Sequence, residues 1–178
     1  MIVRSTTILG VRLGKKIAMG GDGQITLGDM QLKQKAIKVR TFKAAKNEIL
    51  GGFAGAAADA LTLFGKFEEK LEEYSGQLQR SVVELAKEWR TDKYLRNLDA
   101  LLALMDRRQS YLVSGDGNVI EPDGPIIAVG SGAGYALAAA QALLSCKVSS
   151  PREIVERSLK ITADICIYTN RQITILEL

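Results

Sequence analysis

The sequence predicts an α+β layered sandwich, in which two β-sheets pack face to face and helices cover the outer faces. Two observations lead to this fold class. Strand-like and helix-like segments follow one another in the order strands, two helices, strands, two helices, strand. The 178 residues suit one domain, and no internal repeat, linker or low-complexity segment divides them. We therefore expect a single compact domain.

The first block of strands is at the N-terminal end. An alternating pattern runs from Thr7 to Leu13, and Gly14-Lys15 is typical of a two-residue hairpin turn. The strands expected after this turn are Lys16 to Gly20, Ala36–Arg40 and Glu48–Phe53.

Apolar residues at helical spacing predict two helices in the middle of the chain. The first helix ends at Ser75-Gly76 and carries Leu61, Phe64, Phe67 and Leu71. The second begins with Leu78, Val82, Leu85 and Trp89. We expect the stripe of the second helix to continue through Leu95, Leu98, Leu102 and Met105.

Strands return in the second half. Gly115-Asp116-Gly117 predicts a hairpin, and Ser150-Pro151-Arg152-Glu153 is a capping box with proline at the first helical position. The strands expected here are Ser110–Ser114, Asn118–Glu121, Ile126–Val129 and Gln172–Leu176. The helices expected here are Tyr135 to Leu144 and a helix that carries Ile154, Val155, Leu159 and Ile165.

Composition argues against several classes of function. Hydrophobic residues are 47% and charged residues 25%, the balance of an ordinary soluble globular protein. The net charge of +4 is mild for a nucleic-acid binder. Two cysteines are too few for a disulfide framework, and the first residues do not form a signal peptide, so we expect a cytoplasmic protein. The uncharged stretch from Gly124 to Cys146 could span a bilayer, but its helix breakers predict a strand and a helix instead.

The chain contains no histidine. This absence excludes a Ser-His-Asp triad, a Cys-His pair and an HExxH zinc site. If the protein is a hydrolase, its nucleophile must be activated by a lysine, a carboxylate or a free N-terminal amine.

A small set of residues could supply that chemistry, although each also has an ordinary structural interpretation in a strand, a turn or a charged segment. The set is Thr6, Asp22, Lys38, Ser131 and Gly52. A threonine at a mature N-terminus carries its own base, because an α-amino group has a pKa of about 7.7–8.0. A nearby lysine favours the alkoxide-like form, an aspartate holds the lysine, and a glycine amide can approach an oxyanion closely.

Several ordered motifs resemble the signatures of the HslV (ClpQ) peptidase family, and the match runs from Thr6 almost to Leu178. The N-terminal motifs are Thr6-Thr7-Ile8-Leu9, Gly21-Asp22-Gly23-Gln24, Lys38-Val39-Arg40 and Gly52-Phe53-Ala54-Gly55. The later ones are Ala58-Asp59-Ala60, Glu84–Asp92, Gly130-Ser131-Gly132 and Asp164–Asn170.

The resemblance implies a four-layer αββα sandwich, the N-terminal-nucleophile hydrolase fold of proteasome β-subunits. It further implies the proteolytic half of a bacterial ATP-dependent protease, built as two stacked hexameric rings that an HslU-type ATPase unfoldase supplies with substrate. By the family pattern Thr6 is the nucleophile, Asp22 and Lys38 its charged supports, Ser131 a hydrogen-bonding neighbour and Gly52 the oxyanion donor. Nucleotide is expected on the ATPase and not on this chain.

The resemblance also implies a monovalent cation site, commonly occupied by sodium, formed by main-chain carbonyls. The matching positions are Ala163, Cys166 and Thr169. Alanine stands at 163 where the family usually has glycine, and carbonyl ligation tolerates that difference. The alternative interpretation is that these residues only end a helix.

The chain departs from the family at its start, because Met1 to Ser5 precede the Thr-Thr pair. Ile2 is too bulky for routine removal of Met1, so cleavage between Ser5 and Thr6 is required. We therefore expect a propeptide at residues 1–5 and a peptidase domain at 6–178. Smaller departures are a segment Thr41–Glu48 about two residues longer than in relatives, and Ala133-Gly134 in place of Gly-Pro.

Three alternatives stay open on sequence grounds. The first is a catalytically silent ring subunit that retains residues 1–5. The second is a nucleotide-binding domain that uses the glycines of 130–134, although Tyr135 and the missing βαβ context disagree with that pattern. The third is nucleic-acid binding by a basic cluster that lacks interleaved aromatic residues apart from Phe42: Lys33, Lys35, Lys38, Arg40, Lys43 and Lys46.

Overall fold

The computed structural model describes residues 3–4 and 6–178, without the side chains of Val3, Arg4 and Ala57. The strands of this described part are β1 (Val3–Arg4), β2 (Thr7–Leu13), β3 (Lys16–Asp22), β4 (Ile25–Leu27), β5 (Met30–Lys33), β6 (Val39–Ala44), β7 (Asn47–Gly55), β8 (Ala100–Met105), β9 (Ser110–Ser114), β10 (Val119–Ile120), β11 (Ile126–Gly130) and β12 (Ile173–Glu177). The helices are α1 (Ala57–Glu73), α2 (Leu78–Thr91), α3 (Ala133–Ser145) and α4 (Pro151–Ile165).

Two antiparallel sheets form the centre of the molecule. One has five strands in the order β10-β9-β8-β7-β6, and the other has four in the order β11-β2-β3-β12. Apolar side chains such as Ile8, Met19 and Leu50 pack between the sheets. A second core lies between the five-stranded sheet and helices α1 and α2, and a third lies between the four-stranded sheet and helices α3 and α4. The predicted αββα sandwich is confirmed.

The predicted continuation of the second helix is wrong. Helix α2 ends at Thr91, a short 3-10 turn follows at Leu95–Asn97, and β8 contains Leu102 and Met105 as a strand. Strand β8 is central in the five-stranded sheet and is buried along most of its length. A strand that is buried on both faces shows no alternation of polar and apolar residues, so its pattern is easily mistaken for a helical stripe.

Sequence analysis did not predict the short strands β4 and β5, which belong to a separate sheet. Strands β4 and β5 form a three-stranded sheet with β1, in the order β1-β4-β5. The strand expected at Ala36–Arg40 lies further along the chain than predicted: β6 begins at Val39 and ends at Ala44. The turn after it, at Ala45-Lys46, joins β6 to β7 as a hairpin, which lies within the longer segment Thr41–Glu48.

The capping box at the start of α4 is confirmed, since the Ser150 side chain accepts a hydrogen bond from the Glu153 amide. The uncharged stretch from Gly124 to Cys146 is divided into β11 and α3, as expected. Across the described residues, no helix combines the length and the apolar character that crossing a membrane requires.

Met1, Ile2 and Ser5 of the expected propeptide lie outside the described residues. Strand β1 is described and pairs antiparallel with β4, with Val3 opposite Leu27 and Arg4 opposite Thr26. Val3 and Arg4 are therefore attached to the domain by strand pairing.

Candidate active site

Thr6 lies immediately before β2 and is 1% exposed. Its φ of 122° lies in the region that a β-branched residue rarely occupies. Its carbonyl accepts a hydrogen bond from the Ser131 amide at 2.9 Å. The Thr6 hydroxyl is buried without a hydrogen-bond partner among the described residues. A buried hydroxyl without a partner costs folding free energy, and a catalytic role is one explanation for such a group.

Gly130 packs directly against the Thr6 backbone, where a residue with a β-carbon would clash. Strand β11 pairs with β2 so that Gly130 lies opposite Thr7, and Gly130 has a φ of +100°. A β-carbon at Gly130 would lie 2.1 Å from the Thr6 carbonyl oxygen. The glycine is therefore required both by its backbone conformation and by the close approach of the two strands.

We expect Gly130→Ala to lower the free energy of unfolding by more than about 1 kcal/mol and to displace Thr6. The cause is the clash with the Thr6 carbonyl together with the positive φ. Urea unfolding of the purified variant measures the effect.

Gly134→Ala is the matched control, because an added β-carbon there meets nothing within 4 Å in helix α3. We expect this change to be neutral or to stabilise by up to about 1 kcal/mol. Equal stabilities of the two variants would contradict the role given to Gly130.

Asp22 and Lys38 form a buried ion pair, with Nζ 3.3 Å from Oδ1. Asp22 is 0% exposed and lies at the end of β3, where Oδ1 also accepts from the Thr7 amide at 2.7 Å. Its Oδ2 accepts from the amides of Gln24 at 2.8 Å and Asn170 at 3.4 Å. Both oxygens of the Asp22 side chain are thus held by donors, three backbone amides and the Lys38 ammonium.

Lys38 lies just before β6 and is 3% exposed, so it does not belong to a solvated basic cluster. Its Nζ donates to the Gln24 carbonyl at 2.5 Å as well as to Asp22. Burial lowers the pKa of Lys38, and the charge and hydrogen bond of Asp22 oppose part of that effect. Because Thr7 N and Lys38 Nζ contact the same oxygen of Asp22, Lys38 lies close to the Thr6–Thr7 peptide.

Gly52 and Ser131 lie on the strand and the turn beside this cluster. Gly52 lies in β7 opposite Val39, and an added β-carbon there would be 2.5 Å from Ile8 Cγ2. Ser131 follows β11; its side chain is exposed, and its amide holds the Thr6 carbonyl. The structure therefore gathers the elements that carry Thr6, Asp22, Lys38, Gly52 and Ser131, and the catalytic role of each stays a prediction.

Sequence analysis missed the groups that orient this cluster. The Thr7 hydroxyl is 2.7 Å from the Thr169 hydroxyl and accepts from the Gly132 amide at 3.1 Å. An added β-carbon at Gly132 would be 2.2 Å from Thr7 Oγ1, which explains the glycine. The sequence signal that could have found these groups was Thr7 itself. A threonine buried in a strand needs hydrogen-bond partners for its hydroxyl.

The carbonyl positions expected for a cation lie at the end of α4. Ala163 is in the last turn of this helix, where carbonyls lack intrahelical partners and the helix dipole is negative. The Cys166 carbonyl accepts from the Thr169 amide at 3.0 Å and keeps a second lone pair. The helix end therefore offers carbonyl acceptors, and the monovalent cation site stays a prediction. Among the described side chains, no group of three or more acidic, cysteine or histidine residues could hold a metal.

Two stacked antiparallel sheets between helix pairs, with a buried threonine before an inner strand, define the N-terminal-nucleophile hydrolase class. The chain matches the proteasome subunit family over residues 2–178 and belongs to that family. A similar solved structure is eukaryotic HslV from Trypanosoma brucei, with a TM-score of 0.89 and 40% identity over 97% of this chain and 98% of that chain. The expected fold and enzyme class, a threonine-type peptidase, are confirmed.

Proposed function

We propose that this chain is the proteolytic subunit of a two-component ATP-dependent protease, a threonine endopeptidase that cleaves proteins delivered by an ATPase unfoldase. The observation that carries the proposal is the buried Thr6 hydroxyl, which has no hydrogen-bond partner among the described residues, on a residue whose neighbour Thr7 donates its amide to Asp22 of the Asp22–Lys38 pair. The likeness to HslV along almost the whole chain supports it. The bacterial origin expected from the sequence stays a prediction, because the matched structure comes from a eukaryote.

In the proposed reaction the Thr6 hydroxyl attacks the carbonyl of the scissile peptide bond. The Thr6 α-amine accepts the hydroxyl proton and later delivers it to the leaving amine, and water then hydrolyses the ester. The ammonium of Lys38, held by Asp22, favours the developing alkoxide. The Gly52 amide stabilises the oxyanion, and Ser131 adds a hydrogen bond beside the nucleophile.

This mechanism requires a free amine on Thr6, so residues 1–5 must be removed. In self-cleavage the Thr6 hydroxyl attacks the Ser5 carbonyl, and the Ser5–Thr6 amide bond breaks as an ester forms, which frees the Thr6 α-amine. Water then hydrolyses this ester, releasing residues 1–5 with a terminal carboxylate and restoring the Thr6 hydroxyl. Two observations support it. The φ of Thr6 strains the backbone beside the scissile bond. The pairing of β1 with β4 holds Val3 and Arg4 in place, close to the scissile bond in the sequence.

The likeness of this chain to HslV also supports a ring-forming oligomer that works with an ATPase partner. The finer form of this proposal is two stacked hexameric rings and an HslU-type unfoldase, in the cytoplasm. It further includes a sodium ion held by the carbonyls of Ala163, Cys166 and Thr169, where the ion stabilises the loop after α4 and takes no part in bond cleavage.

The intact mass of the purified protein tests the proposal. A mass that lacks Met1 to Ser5, together with hydrolysis of a small fluorogenic peptide when the ATPase is added, is the expected result. A retained pentapeptide without peptidase activity would instead indicate a silent ring subunit. Native mass spectrometry of the same sample tests the twelve-subunit assembly.

A further inference from the structure

Gln24 is a buried polar residue in the loop between β3 and β4, and the proposed mechanism gives it no role. It is 1% exposed, which is unusual for a glutamine unless its amide is fully paired. Its main chain and its side chain both make hydrogen bonds that converge on the proposed catalytic groups.

The side chain of Gln24 connects three separate segments. Nε2 donates to the hydroxyl of Thr26 in β4 at 2.9 Å and to the carbonyl of Ile167 at 2.8 Å. Oε1 accepts from Nε2 of Gln31 in β5 at 3.1 Å. The Ile167 carbonyl can only accept a hydrogen bond, so it fixes which end of the Gln24 amide faces it.

The main chain of Gln24 holds both members of the buried ion pair. Its amide donates to Asp22 Oδ2 at 2.8 Å, and its carbonyl accepts from Lys38 Nζ at 2.5 Å. The Lys38 ammonium therefore has two acceptors, Asp22 and the Gln24 carbonyl. A shift of the Gln24 backbone would move one of them and the lysine with it.

Ile167 belongs to the loop between α4 and β12, which reaches the same site through two other residues. Thr169 contacts the Thr7 hydroxyl, and the Asn170 amide donates to Asp22. Gln24 is thus the residue through which this loop also reaches Lys38. The Ile167 side chain itself is 76% exposed, so the loop is anchored here by its backbone.

We propose that Gln24 is a positioning residue for the peptidase reaction, which sets the place of the Lys38 ammonium by tying its own backbone to the Ile167 carbonyl and to β4. The inference rests on the proposed function. It predicts that the side chain of Gln24 affects turnover rather than substrate binding, because the group it positions acts on the reacting hydroxyl.

The test is Gln24→Met, with Gln31→Met as the matched control. The control makes the same substitution on the exposed strand β5 and removes one hydrogen bond to Gln24. We expect Gln24→Met to lower kcat by about 10- to 100-fold, since small displacements of catalytic groups cost rates of that order. KM should change by less than about threefold, and Gln31→Met should stay within about threefold of the wild type in both constants.

The assay uses the processed assembly with its ATPase, ATP and a fluorogenic peptide, well below the unfolding midpoint of each variant. Gln24→Glu is the second variant. It keeps the side-chain volume, but an ionised carboxylate cannot donate a hydrogen bond to the Ile167 carbonyl. If Gln24→Met does not fold, the kcat of Gln24→Glu tests the inference. A kcat within about threefold of wild type in the folded variant overturns the inference while leaving the proposed function intact. An inactive, fully processed wild type overturns the proposed function itself.

Discussion

Thr6→Ala is expected to lower kcat for peptide hydrolysis by about 10⁴-fold or more, the cost of removing a catalytic nucleophile. The hydroxyl lies buried without a hydrogen-bond partner among the described residues, so its loss removes no hydrogen bond to them. We therefore expect the free energy of unfolding to change little. Hydrolysis of a fluorogenic peptide by the assembly with its ATPase measures the effect, and urea unfolding checks the fold.

A complication is that Thr6→Ala also blocks self-cleavage, so its inactivity could come from retained residues 1–5. Deleting residues 2–5 separates the two causes, because Met1 then precedes Thr6 directly and routine trimming exposes the amine. We expect the deletion protein to be active, its Thr6→Ala form inactive, and its Thr6→Ser form partly active. An active alanine form in the deletion background would contradict Thr6 as the nucleophile.

The second large effect is expected at the buried ion pair. Lys38→Met leaves the Asp22 carboxylate without its cation in a site that is 0% exposed. Breaking a buried pair by removing one partner costs about 3–5 kcal/mol. We also expect kcat to fall by about 10²-fold or more, because the charge that favours the alkoxide is lost. Asp22→Asn should be comparably damaging, since its NH₂ group must face a backbone amide at one of the two oxygen positions.

Lys160→Met is the control for this experiment, because Lys160 forms an exposed ion pair with Glu156 one helical turn away. We expect it to cost about 0.5 kcal/mol or less. The double variant Asp22→Asn with Lys38→Met should recover part of the stability without recovering activity. Equal stabilities of Lys38→Met and Lys160→Met would contradict the buried pair.

The pair also has a pH signature. Burial lowers the pKa of Lys38 below the value of about 10.4 expected in the unfolded chain. Between those two pKa values the unfolded chain binds more protons, so the contribution of Lys38 to the free energy of unfolding rises with pH. Comparing wild type and Lys38→Met over the alkaline range isolates this contribution, because the other lysines titrate in both. If the free energy of unfolding changed with pH in the same way in wild type and Lys38→Met, the lowered pKa of Lys38 would be contradicted.

Most of the elements could be predicted because their patterns are local. The hairpin at Gly14-Lys15, the capping box at Ser150 and the stripe of α2 up to Trp89 each depend on residues within one or two turns of the chain. Strand β8 could not be predicted, since Leu98, Leu102 and Met105 also satisfy helical spacing. Only its place in the middle of the five-stranded sheet resolves that ambiguity.

The sequence by itself determined the class of this protein. The absence of histidine limits the possible nucleophiles, and the resemblance of the motifs around Thr6, Asp22 and Lys38 to the HslV family implies a threonine peptidase. The tertiary structure decided how those residues are held, with Asp22 between Lys38 and the Thr7 amide, and Gln24 and Thr169 supporting them. These hydrogen bonds join positions up to 162 residues apart. Contacts of that range depend on how sheets and loops pack, and local sequence patterns do not carry that information.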